Sequence, residues 1–321
     1  MSLAPHEAVT VLGRRPLAES GIIDAHAHLW IERVAGVSGG APVLDDEPAI
    51  VAELRAFARD GGRAVIDCQP LGAGRDGQRL ISLSRASGVA VIACTGFHLP
   101  AYHDPRRSPW DADPGELRER LLAELRDGLE DGAGGRLDAR AGAVKVAHRG
   151  RLDRRMKAML EAAASAAAEA GVLLCIHTER GRGAGELGEW LFDLPMETRD
   201  VILCHTDKRP DRGLHRALAE NGFLLEYDTF MRPKYDPDRH VWPLLEAMLE
   251  DGHEHAVAVG LDLADRSQWR FGGDRHGMAA WRTTIVPEMR RRGIDAPVIA
   301  RLCGGNVRSR LCGSGARRSD G

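Results

Sequence analysis

The feature that most constrains the fold of this 321-residue chain is a regular alternation of short apolar runs with longer amphipathic stretches. Short apolar runs are typical of buried strands, whereas apolar residues three and four positions apart indicate helices that pack on a core. Eight apolar runs occur, at residues 21–28, 63–68, 89–95, 143–147, 172–177, 201–205, 223–227 and 256–261. Because eight alternating strands and helices suit a parallel sheet closed on itself, the sequence predicts an α/β fold, a (β/α)8 TIM barrel.

The first predicted strand ends in His26-Ala27-His28, and this motif separates the barrel from its main alternative. An open, doubly wound sheet predicts a glycine-rich fingerprint at that position, and the sequence has none there. A Gly-Arg-Arg-Pro turn at residues 13–16 predicts a short N-terminal β-hairpin ahead of the barrel. We therefore predict one (β/α)8 domain over residues 1–311, followed by a disordered tail at residues 312–321.

Composition and charge argue against several classes of partner. The formal net charge of −3 disfavours nucleic acid or an anionic membrane as the main partner. No run approaches the roughly 18 apolar residues of a membrane-spanning helix. None of the six cysteines belongs to a C-x-x-C pair, which favours reduced thiols in a cytoplasmic protein over a disulfide framework or a thiolate zinc site.

A lysine stands in the middle of the fourth apolar run, in Gly-Ala-Val-Lys-Val-Ala-His at residues 142–148. Burial of an ammonium group without a partner is costly, so a buried lysine usually loses its charge. The neutral amine can add carbon dioxide and become a carbamate, an anion that can bridge two metal ions. The alternative is a lysine on an edge strand whose charged end reaches solvent. Lys145 is thus a candidate metal ligand.

Other side chains that can bind metal fall at the ends of predicted strands, where barrel enzymes place their active sites. They are His26, His28, His177, His205 and Asp262. His26 and His28 are two positions apart, so they point to the same face of their strand. A single histidine at a strand end is usually a hydrogen-bonded structural residue, but with Lys145 there are six candidates at matching positions. Imidazole and carboxylate together suit zinc or another first-row divalent ion.

This set of residues resembles the amidohydrolase superfamily and, within it, the phosphotriesterase family. The resemblance includes Val-Lys-Val-Ala at 144–147, Gly-Ala-Gly-Arg-Asp at 72–76, Ala-Cys-Thr-Gly-Phe at 93–97, and Asn306. It extends over residues 9–311, which is nearly the whole chain. It implies the same barrel fold, together with an active site that holds two metal ions.

The resemblance implies a role for each candidate ligand. The buried metal ion would be held by His26, His28 and Asp262. The exposed metal ion would be held by His177 and His205. Carbamylated Lys145 would bridge both ions together with a hydroxide. Two divalent ions about 3.5–4 Å apart repel each other, so bridging anions are needed, and a water molecule shared by both ions is acidified enough to be a hydroxide at neutral pH. The expected cofactors are therefore two divalent metal ions, with Zn²⁺ as the first choice.

The same resemblance implies the reaction. The bridging hydroxide would attack an ester carbonyl or a phosphoryl centre whose oxygen is polarised by the exposed metal ion. Asp262, beside the hydroxide, would take its proton and pass it to the leaving group. The chain is thus expected to be a zinc-dependent hydrolase that acts on ester bonds, with Asp262 and Lys145 as its catalytic residues.

Three departures from the usual pattern of the family bear on the substrate. Ala27 stands between the first two histidines, where the family usually has glutamate. Lys208 follows Asp207, where organophosphate-degrading members tend to have paired aspartates after the sixth strand. The seventh strand ends in Glu-Tyr-Asp-Thr at residues 226–229, without the histidine that those enzymes often have. The metal ligands are retained, but the departures argue against phosphotriesters as the main substrate.

Two loops of the predicted rim are rich in cationic and aromatic residues, which are candidate contacts for an anionic substrate. These candidates are Arg232, Lys234, Tyr235, Arg266 and Arg270. Arginine can bind phosphate or carboxylate with two hydrogen bonds. The alternative is that these loops are cationic without binding anything. Branches of the family that are similar in these loops hydrolyse lactones, some of them phosphorylated sugar lactones. The resemblance therefore implies a lactonase or carboxylic esterase with promiscuous phosphotriesterase activity.

The sequence is also compatible with two other functions. An amidohydrolase that cleaves C–N bonds would use the same metal ligands, and a catalytically inactive, metal-free barrel would serve as a binding protein. The expected partner is a small molecule, not nucleic acid or a membrane. Dimerisation is common among similar proteins, so a homodimer is an expectation from the resemblance alone. Three rim carboxylates could orient the metal ligands or simply be solvated: Glu179, Asp207 and Asp228. Three histidines that follow the third and fourth strands are expected at the surface or in contact with the substrate: His98, His103 and His148.

Overall fold

The computed structural model describes residues 7–194, 196–273 and 275–313, and it confirms the barrel. An antiparallel hairpin of β1 (Glu7–Thr10) and β2 (Gly13–Pro16) comes first. The main sheet has eight parallel strands, each beside the next one along the chain. They are β3 (Ile22–Ala27), β4 (Gly62–Asp67), β5 (Ala90–Gly96), β6 (Ala143–His148), β7 (Leu173–Thr178), β8 (Val201–Cys204), β9 (Leu224–Tyr227) and β10 (Val257–Val259). All eight predicted strands are present.

The hairpin is confirmed, but its predicted turn is wrong. Gly-Arg-Arg-Pro at residues 13–16 forms the second strand, and the chain reverses at Val11 and Leu12. Thr10 stabilises this turn, because its hydroxyl donates to the carbonyl of Gly13 over 2.8 Å and accepts the N–H of Leu12 over 3.1 Å. Gly13 has a φ of 91°, a backbone conformation that favours glycine, so the glycine closes the turn instead of opening it.

Helices surround the barrel. They are α1 (Glu47–Arg59), α2 (Gly77–Ser87), α3 (Pro114–Arg126), α4 (Arg154–Ala170), α5 (Ala184–Leu191), α6 (Arg212–Glu220), α7 (Val241–Glu250), α8 (Val286–Arg291), α9 (Ala296–Ala300) and α10 (Asn306–Gly313). Five of these helices begin after an aspartate whose side chain accepts backbone N–H groups of the first turn, which stabilises a helix start. The five aspartates are Asp46, Asp76, Asp113, Asp153 and Asp211. No helix in the described ranges combines the length and the apolar character needed to cross a membrane.

The end of the chain differs from the prediction. The predicted tail begins at residue 312, but Cys312 and Gly313 belong to α10, and Cys312 is buried. Asn306 anchors this helix beside the barrel, because its side-chain amide donates to the carbonyls of Glu254 and Val257 over 2.7 Å each. The remainder of the predicted tail, residues 314–321, lies outside the described residues. The domain boundary at residue 311 stays a prediction, although α10 continues two residues beyond it.

The interior of the barrel is a compact apolar core with four thiols in it. Cys68, Cys94, Cys175 and Cys204 are free cysteines, and they are fully or almost fully buried. They pack with aliphatic residues of the barrel strands, such as Ile66, Ile92 and Ile202. Buried free cysteine behaves as a small apolar residue, so these thiols fill the barrel beneath its C-terminal rim.

The seam between the first and last barrel strands is closed at the rim. The backbone N–H of Asp262, three residues after β10, donates to the carbonyl of His26 on β3 over 2.7 Å. The buried carboxylate of Asp24 fastens the same seam, because it accepts the N–H groups of His26 and Leu261 over 3.1 and 3.2 Å. Its other oxygen accepts the indole N–H of Trp281 over 3.2 Å. The seam therefore joins the chain segments that carry His26 and Asp262.

A buried ion pair holds the Gly-Ala-Gly-Arg-Asp loop against α3. The guanidinium of Arg75 donates to the carboxylate of Glu124 over 2.8 Å, and both side chains are almost completely buried. Arg75 also donates to the carbonyl of Cys94 over 2.9 Å, and Glu124 accepts the N–H of Glu130 over 2.8 Å. The pair thus connects β5, the loop and the end of α3.

We expect Arg75→Met to lower the free energy of unfolding by about 3–5 kcal/mol, because it leaves the Glu124 carboxylate buried without its charge partner. The double variant Arg75→Met/Glu124→Leu should be more stable than Arg75→Met, since neither charge is then buried alone. Urea denaturation measures both values. The matched control is Arg79→Met, which removes a partly exposed pair with Glu47 and should change stability little. A double variant that is no more stable than the single one would contradict the prediction.

Candidate metal centre and active site

The structure brings all six predicted metal ligands to the C-terminal rim of the barrel. They are His26 and His28 at the end of β3, Lys145 on β6, His177 on β7, His205 just after β8, and Asp262 after β10. All except His177 are buried, and the side chain of His177 is only 14% exposed. Each residue lies at or near the C-terminal end of its strand, and these ends meet at the rim. The barrel therefore brings six positions that are distant in the sequence into one cluster.

The atoms of one half of the cluster have the spacing of ligands to a single ion. Nε2 of His26 and Nε2 of His28 lie 3.8 and 3.7 Å from Oδ1 of Asp262. The candidate ligand atoms of these three residues all lie within 4.8 Å of one another. Zinc bonds to nitrogen and oxygen are about 2.0–2.2 Å long, so two ligands of one ion are expected at such separations. His26, His28 and Asp262 therefore fit a divalent ion.

The second half of the cluster is built on the two remaining histidines. The ring centroids of His177 and His205 are 4.7 Å apart, and the ring of His205 is 4.6 Å from that of His26. Nδ1 of His205 lies 3.8 Å from Oδ2 of Asp262. The two histidines thus stand beside the first three residues, and His205 belongs to a second group of candidate ligand atoms with His26, Glu226 and Asp228.

Two of these residues have an unusual backbone. His205 has a φ of 63° and Asp262 a φ of 46°, and both values lie in the left-handed region that disfavours side chains. Such strain persists only where the surroundings over-determine it, and it is common at active sites. Here the N–H of His205 donates to Glu226 over 3.1 Å, and the N–H of Asp262 donates to His26. The backbone is therefore held so that both side chains face the rim.

Lys145 is buried in the middle of the sheet, with β5 on one side and β7 on the other. It is therefore not an edge-strand lysine whose charged end reaches solvent. Its Nζ lies 3.1 Å from Nε2 of His26 and 3.4 Å from Sγ of Cys204, and it forms no ion pair with any described carboxylate. β5 approaches closely because Gly96 has no side chain; a Cβ there would lie 1.8 Å from the carbonyl oxygen of Lys145.

Glu226, which the sequence analysis left without a role, contacts two of the candidate ligands. Its Oε2 lies 3.3 Å from Nδ1 of His26 and accepts the backbone N–H of His205. Asp228, two residues further on, hydrogen-bonds Nδ1 of His205. A carboxylate on one ring nitrogen fixes the ring and leaves the other nitrogen for a metal ion. Burial and the nearby Asp228 raise the pKa of Glu226 well above its usual range. The pattern Glu-x-Asp at a strand end, with both side chains on one face, is the signal that indicates this role.

Gln69 orients the remaining histidine of the first motif. Its Oε1 lies 2.6 Å from Nδ1 of His28, so Nε2 of His28 faces Asp262. The pKa of His28 is lowered to about 4 by burial and by the neighbouring His26. Glu179 lies 3.3 Å from Nε2 of His177. These contacts leave one nitrogen of each ring available.

Asp262 stands between two cations. Arg232 donates to Oδ2 of Asp262 over 2.7 Å, and Nζ of Lys208 lies 3.7 Å from the same atom. Although burial opposes the charge of this carboxylate, Arg232 holds the pKa of Asp262 well below its usual range. Lys208, which the sequence analysis noted only as a departure from the family, is therefore part of the site.

A cavity of about 160 Å³ lies over the cluster. One wall is the loop between β3 and α1, whose ends are joined by backbone hydrogen bonds between Ile31 and Leu44 over 2.9 and 3.0 Å. This wall is mostly apolar where it faces the cavity, with Ile31, Val34, Val37, Ala41, Pro42 and Val43. The rest of the lining is mostly polar and forms a polar wall that includes His98, Tyr102 and Lys208. The apolar wall was not predicted, because nothing in the sequence shows which loop covers the rim.

None of the five predicted substrate contacts lines this cavity. Arg232 reaches the rim through Asp262, and the ring of Tyr235 lies 6.0 Å from Nζ of Lys208. Lys234 lines a separate, larger groove beside the cavity, which Arg232 also lines. Arg266 pairs with Asp46 at 3.5 Å, next to the start of α1. The backbone N–H of Arg270 donates to Glu53 over 2.6 Å. The residues that line the cavity include neither Arg266 nor Arg270.

The other residues for which the sequence left more than one role lie in different parts of the structure. His98 lines the cavity, and burial together with the nearby His177 lowers its pKa well below the usual range. Nε2 of His103 accepts the backbone N–H of His98 over 2.9 Å, which indicates a structural role. His148 is fully buried, and neither of its ring nitrogens has a hydrogen-bond partner among the described residues. Asp207 accepts the N–H groups of Asp228 and Thr229, so it shapes the loop after β9.

We expect Glu226→Gln to weaken metal binding by about 10- to 100-fold, because the amide NH2 group finds no acceptor where Oε1 lies and the side chain then holds the ring of His26 less firmly. Competition with a chromophoric chelator measures the affinity. Glu32→Gln is the matched control, since Glu32 lines the same cavity but contacts Trp30 instead of a candidate ligand. Equal metal affinities in both variants would contradict the assigned role of Glu226.

Comparison with known proteins agrees with this geometry. A model of the Phosphotriesterase family matches residues 7–309. A phospho-furanose lactonase from Mycoplasmopsis agalactiae is 29% identical over 248 residues, which cover 71% of this chain and 68% of that protein. The human N-acetyltaurine hydrolase is 26% identical over 288 residues, which cover 85% and 80% of the two chains.

Among solved structures, an amidohydrolase from Mycoplasma synoviae has the same fold, with a TM-score of 0.90 at 23% identity over 98% of this chain and 97% of that one. The family match includes every strand of the barrel and every residue of the candidate metal centre. The chain therefore belongs to the phosphotriesterase family.

Proposed function

We propose that this protein is a binuclear-metal hydrolase that opens small lactones. The observation that carries the proposal is the convergence of the six candidate ligands on one rim, beneath a cavity of about 160 Å³. The similarity to a phospho-furanose lactonase supports the substrate class.

In this proposal His26, His28 and Asp262 hold one divalent ion. His177 and His205 would hold the other, and Lys145, as a carbamate, would supply an anionic ligand. Zinc suits these donors, because nitrogen and oxygen ligands predominate. Two such ions, when bound, acidify water and polarise the carbonyl that is attacked. The position of Lys145 supports the carbamate, because its Nζ is buried 3.1 Å from Nε2 of His26, where an added carboxylate group would lie beside a candidate ligand.

The residues of the chain then have separate tasks. Oδ1 of Asp262 accepts the proton of the attacking water and returns it to the leaving oxygen. Arg232 keeps this carboxylate ionised and in place through its contact with Oδ2. Glu226 and Asp228 hold the rings of His26 and His205 in the orientation that each ion requires.

The cavity supports a small substrate. An apolar cavity of about 150 Å³ holds one benzene molecule, so a volume of about 160 Å³ suits a single five- or six-membered lactone ring. A triester with bulky aryl groups exceeds that volume, so phosphotriester hydrolysis is proposed only as a slow side reaction. Lys208 lines the cavity and places positive charge there, which favours an anionic substituent on the ring. A phosphorylated sugar lactone meets both requirements.

The second candidate is hydrolysis of an amide C–N bond. Its support is the similarity to the human N-acetyltaurine hydrolase over most of both chains. The same ligands and Asp262 serve either reaction, because both proceed by attack of water on a carbonyl. A metal-free binding protein is the least supported alternative, since all six candidate ligands lie at one rim. A cytoplasmic location, inferred from the six free thiols, and a homodimer are proposals that accompany the enzymatic ones.

The substrate class can be tested with protein loaded with Zn²⁺. We expect kcat/KM to be highest for phosphorylated five-membered sugar lactones and lower for neutral lactones. It should be lowest for acyl-homoserine lactones, which carry an apolar chain in place of an anionic group, and for aryl phosphotriesters, whose bulky groups exceed the small cavity. N-Acetyltaurine is included to test the amide reaction. Asp262→Asn is the control that identifies background hydrolysis. Turnover of triesters alone would reject the lactonase proposal, and turnover of N-acetyltaurine alone would replace it with the amidase.

The carbamate on Lys145 has its own test. Protein that binds two Zn²⁺ ions in ¹³C-bicarbonate should give a carbamate carbon signal in ¹³C NMR, because the metal ions stabilise the bridging anion. Lys145→Met should lack the signal and bind fewer than two ions by elemental analysis. Two bound ions with no carbamate signal in the wild-type protein would sink this part of the proposal.

A further inference from the structure

His98 presents an unused hydrogen-bond donor to the cavity. It follows β5 directly after Phe97, and its ring centroid lies 5.3 Å from that of His177. Its ring also contacts Tyr102 edge to face, with 4.5 Å between centroids. His98 and Tyr102 both line the cavity. The ring of His98 is therefore next to the metal centre, although it belongs to none of the groups that could hold an ion.

The position of this ring is determined by three hydrogen bonds. The backbone N–H of His98 donates to Nε2 of His103 over 2.9 Å. Its carbonyl accepts the indole N–H of Trp110 over 2.8 Å. Nδ1 of its ring accepts the backbone N–H of Leu99 over 2.7 Å. The backbone and one ring nitrogen are thus already bonded, and the loop that carries the residue is pinned on both sides.

These bonds also determine the tautomer. A neutral imidazole has one donor nitrogen and one acceptor nitrogen, so a ring that accepts at Nδ1 carries its proton on Nε2. Nε2 of His98 makes no hydrogen bond to any described residue in this structure. The protein therefore holds a fixed N–H donor at the wall of the cavity, and such preorganised groups are typical of substrate recognition.

The two walls of the cavity differ in polarity, and this difference indicates which group of the substrate accepts a hydrogen bond from His98. His98 and Tyr102 lie on the polar wall, and Val34, Val37 and Val43 lie on the wall formed by the loop between β3 and α1. A sugar lactone can present its C–H groups to one wall and its hydroxyl oxygens to the other. An unsubstituted lactone has no hydroxyl group to meet the polar wall.

We propose that His98 is a substrate-positioning residue whose Nε2–H donates to a hydroxyl oxygen of a sugar-derived lactone, so that the site selects hydroxylated lactones over unsubstituted ones. This inference rests on the proposed lactonase function. In this proposal, the loop between β5 and α3 recognises the lactone ring. The cations that would meet an anionic substituent are separate residues.

The test compares two lactones with the same five-membered ring, a pentono-1,4-lactone and γ-butyrolactone. His98→Phe keeps an aromatic ring against Tyr102 but removes the donor. We expect it to lower kcat/KM for the pentonolactone by about tenfold or more, chiefly through KM, and to change that for γ-butyrolactone little. His98→Gln, which keeps an N–H near the same position, should recover much of the loss. The zinc content should be the same in all three proteins.

The possible results distinguish the role of His98 from the proposed lactonase function. An equal loss on both lactones, or no loss on the pentonolactone, would overturn the role of His98 while leaving the lactonase function in place. A wild-type protein that hydrolyses neither of these lactones nor a phosphorylated pentonolactone would reject the proposed function first. ¹⁵N NMR of labelled histidine in the wild-type protein needs no variant: the signal of a ring protonated at Nε2 should shift when a pentonate, the hydrolysis product, is added. The absence of that shift would also overturn the proposal.

Discussion

The hydrogen bond from the N–H of Asp262 to the carbonyl of His26 is the contact on which the rest of the site depends. β3 and β10 are the first and last strands of the barrel. The seam between them closes at His26 and Asp262, which are both candidate metal ligands. Asp24 supports the same seam with three accepted hydrogen bonds. Closure of the barrel and assembly of the site are therefore one event, because the chain cannot close the seam without bringing these two ligands together.

A second group of buried carboxylates turns this cluster into an ordered site. Glu226 and Asp228 hold the far sides of the rings of His26 and His205, and Gln69 does the same for His28. The left-handed backbone at His205 and Asp262 shows how strongly the surroundings determine these positions. Without these contacts, histidine rings at a rim would rotate among several orientations. The contacts of these carboxylates bury polar and charged groups. Such burial is tolerable only where opposite charges or hydrogen bonds compensate it.

Much of the fold was predictable because its signals are local. Each barrel strand is a short apolar run, and five helices begin after an aspartate cap, so a strand and its helix can be read from a few neighbouring residues. The errors are also local. Gly13 closes the hairpin turn instead of opening it, and Cys312 extends the last helix because it packs against the core. Turns and chain ends depend on one or two contacts, which composition does not reveal.

The sequence by itself determined the barrel and the candidate ligands, because eight strands in parallel order place every strand end on one rim. Only the tertiary structure decided what surrounds them. It placed Glu226 behind His26, 200 positions away in the chain, and Lys208 and Arg232 beside Asp262. It also placed the loop between β3 and α1 over the rim and turned Arg266 towards Asp46. Periodicity specifies which end of a strand a residue occupies, but the packing of long loops depends on contacts between distant segments, and no local pattern encodes these.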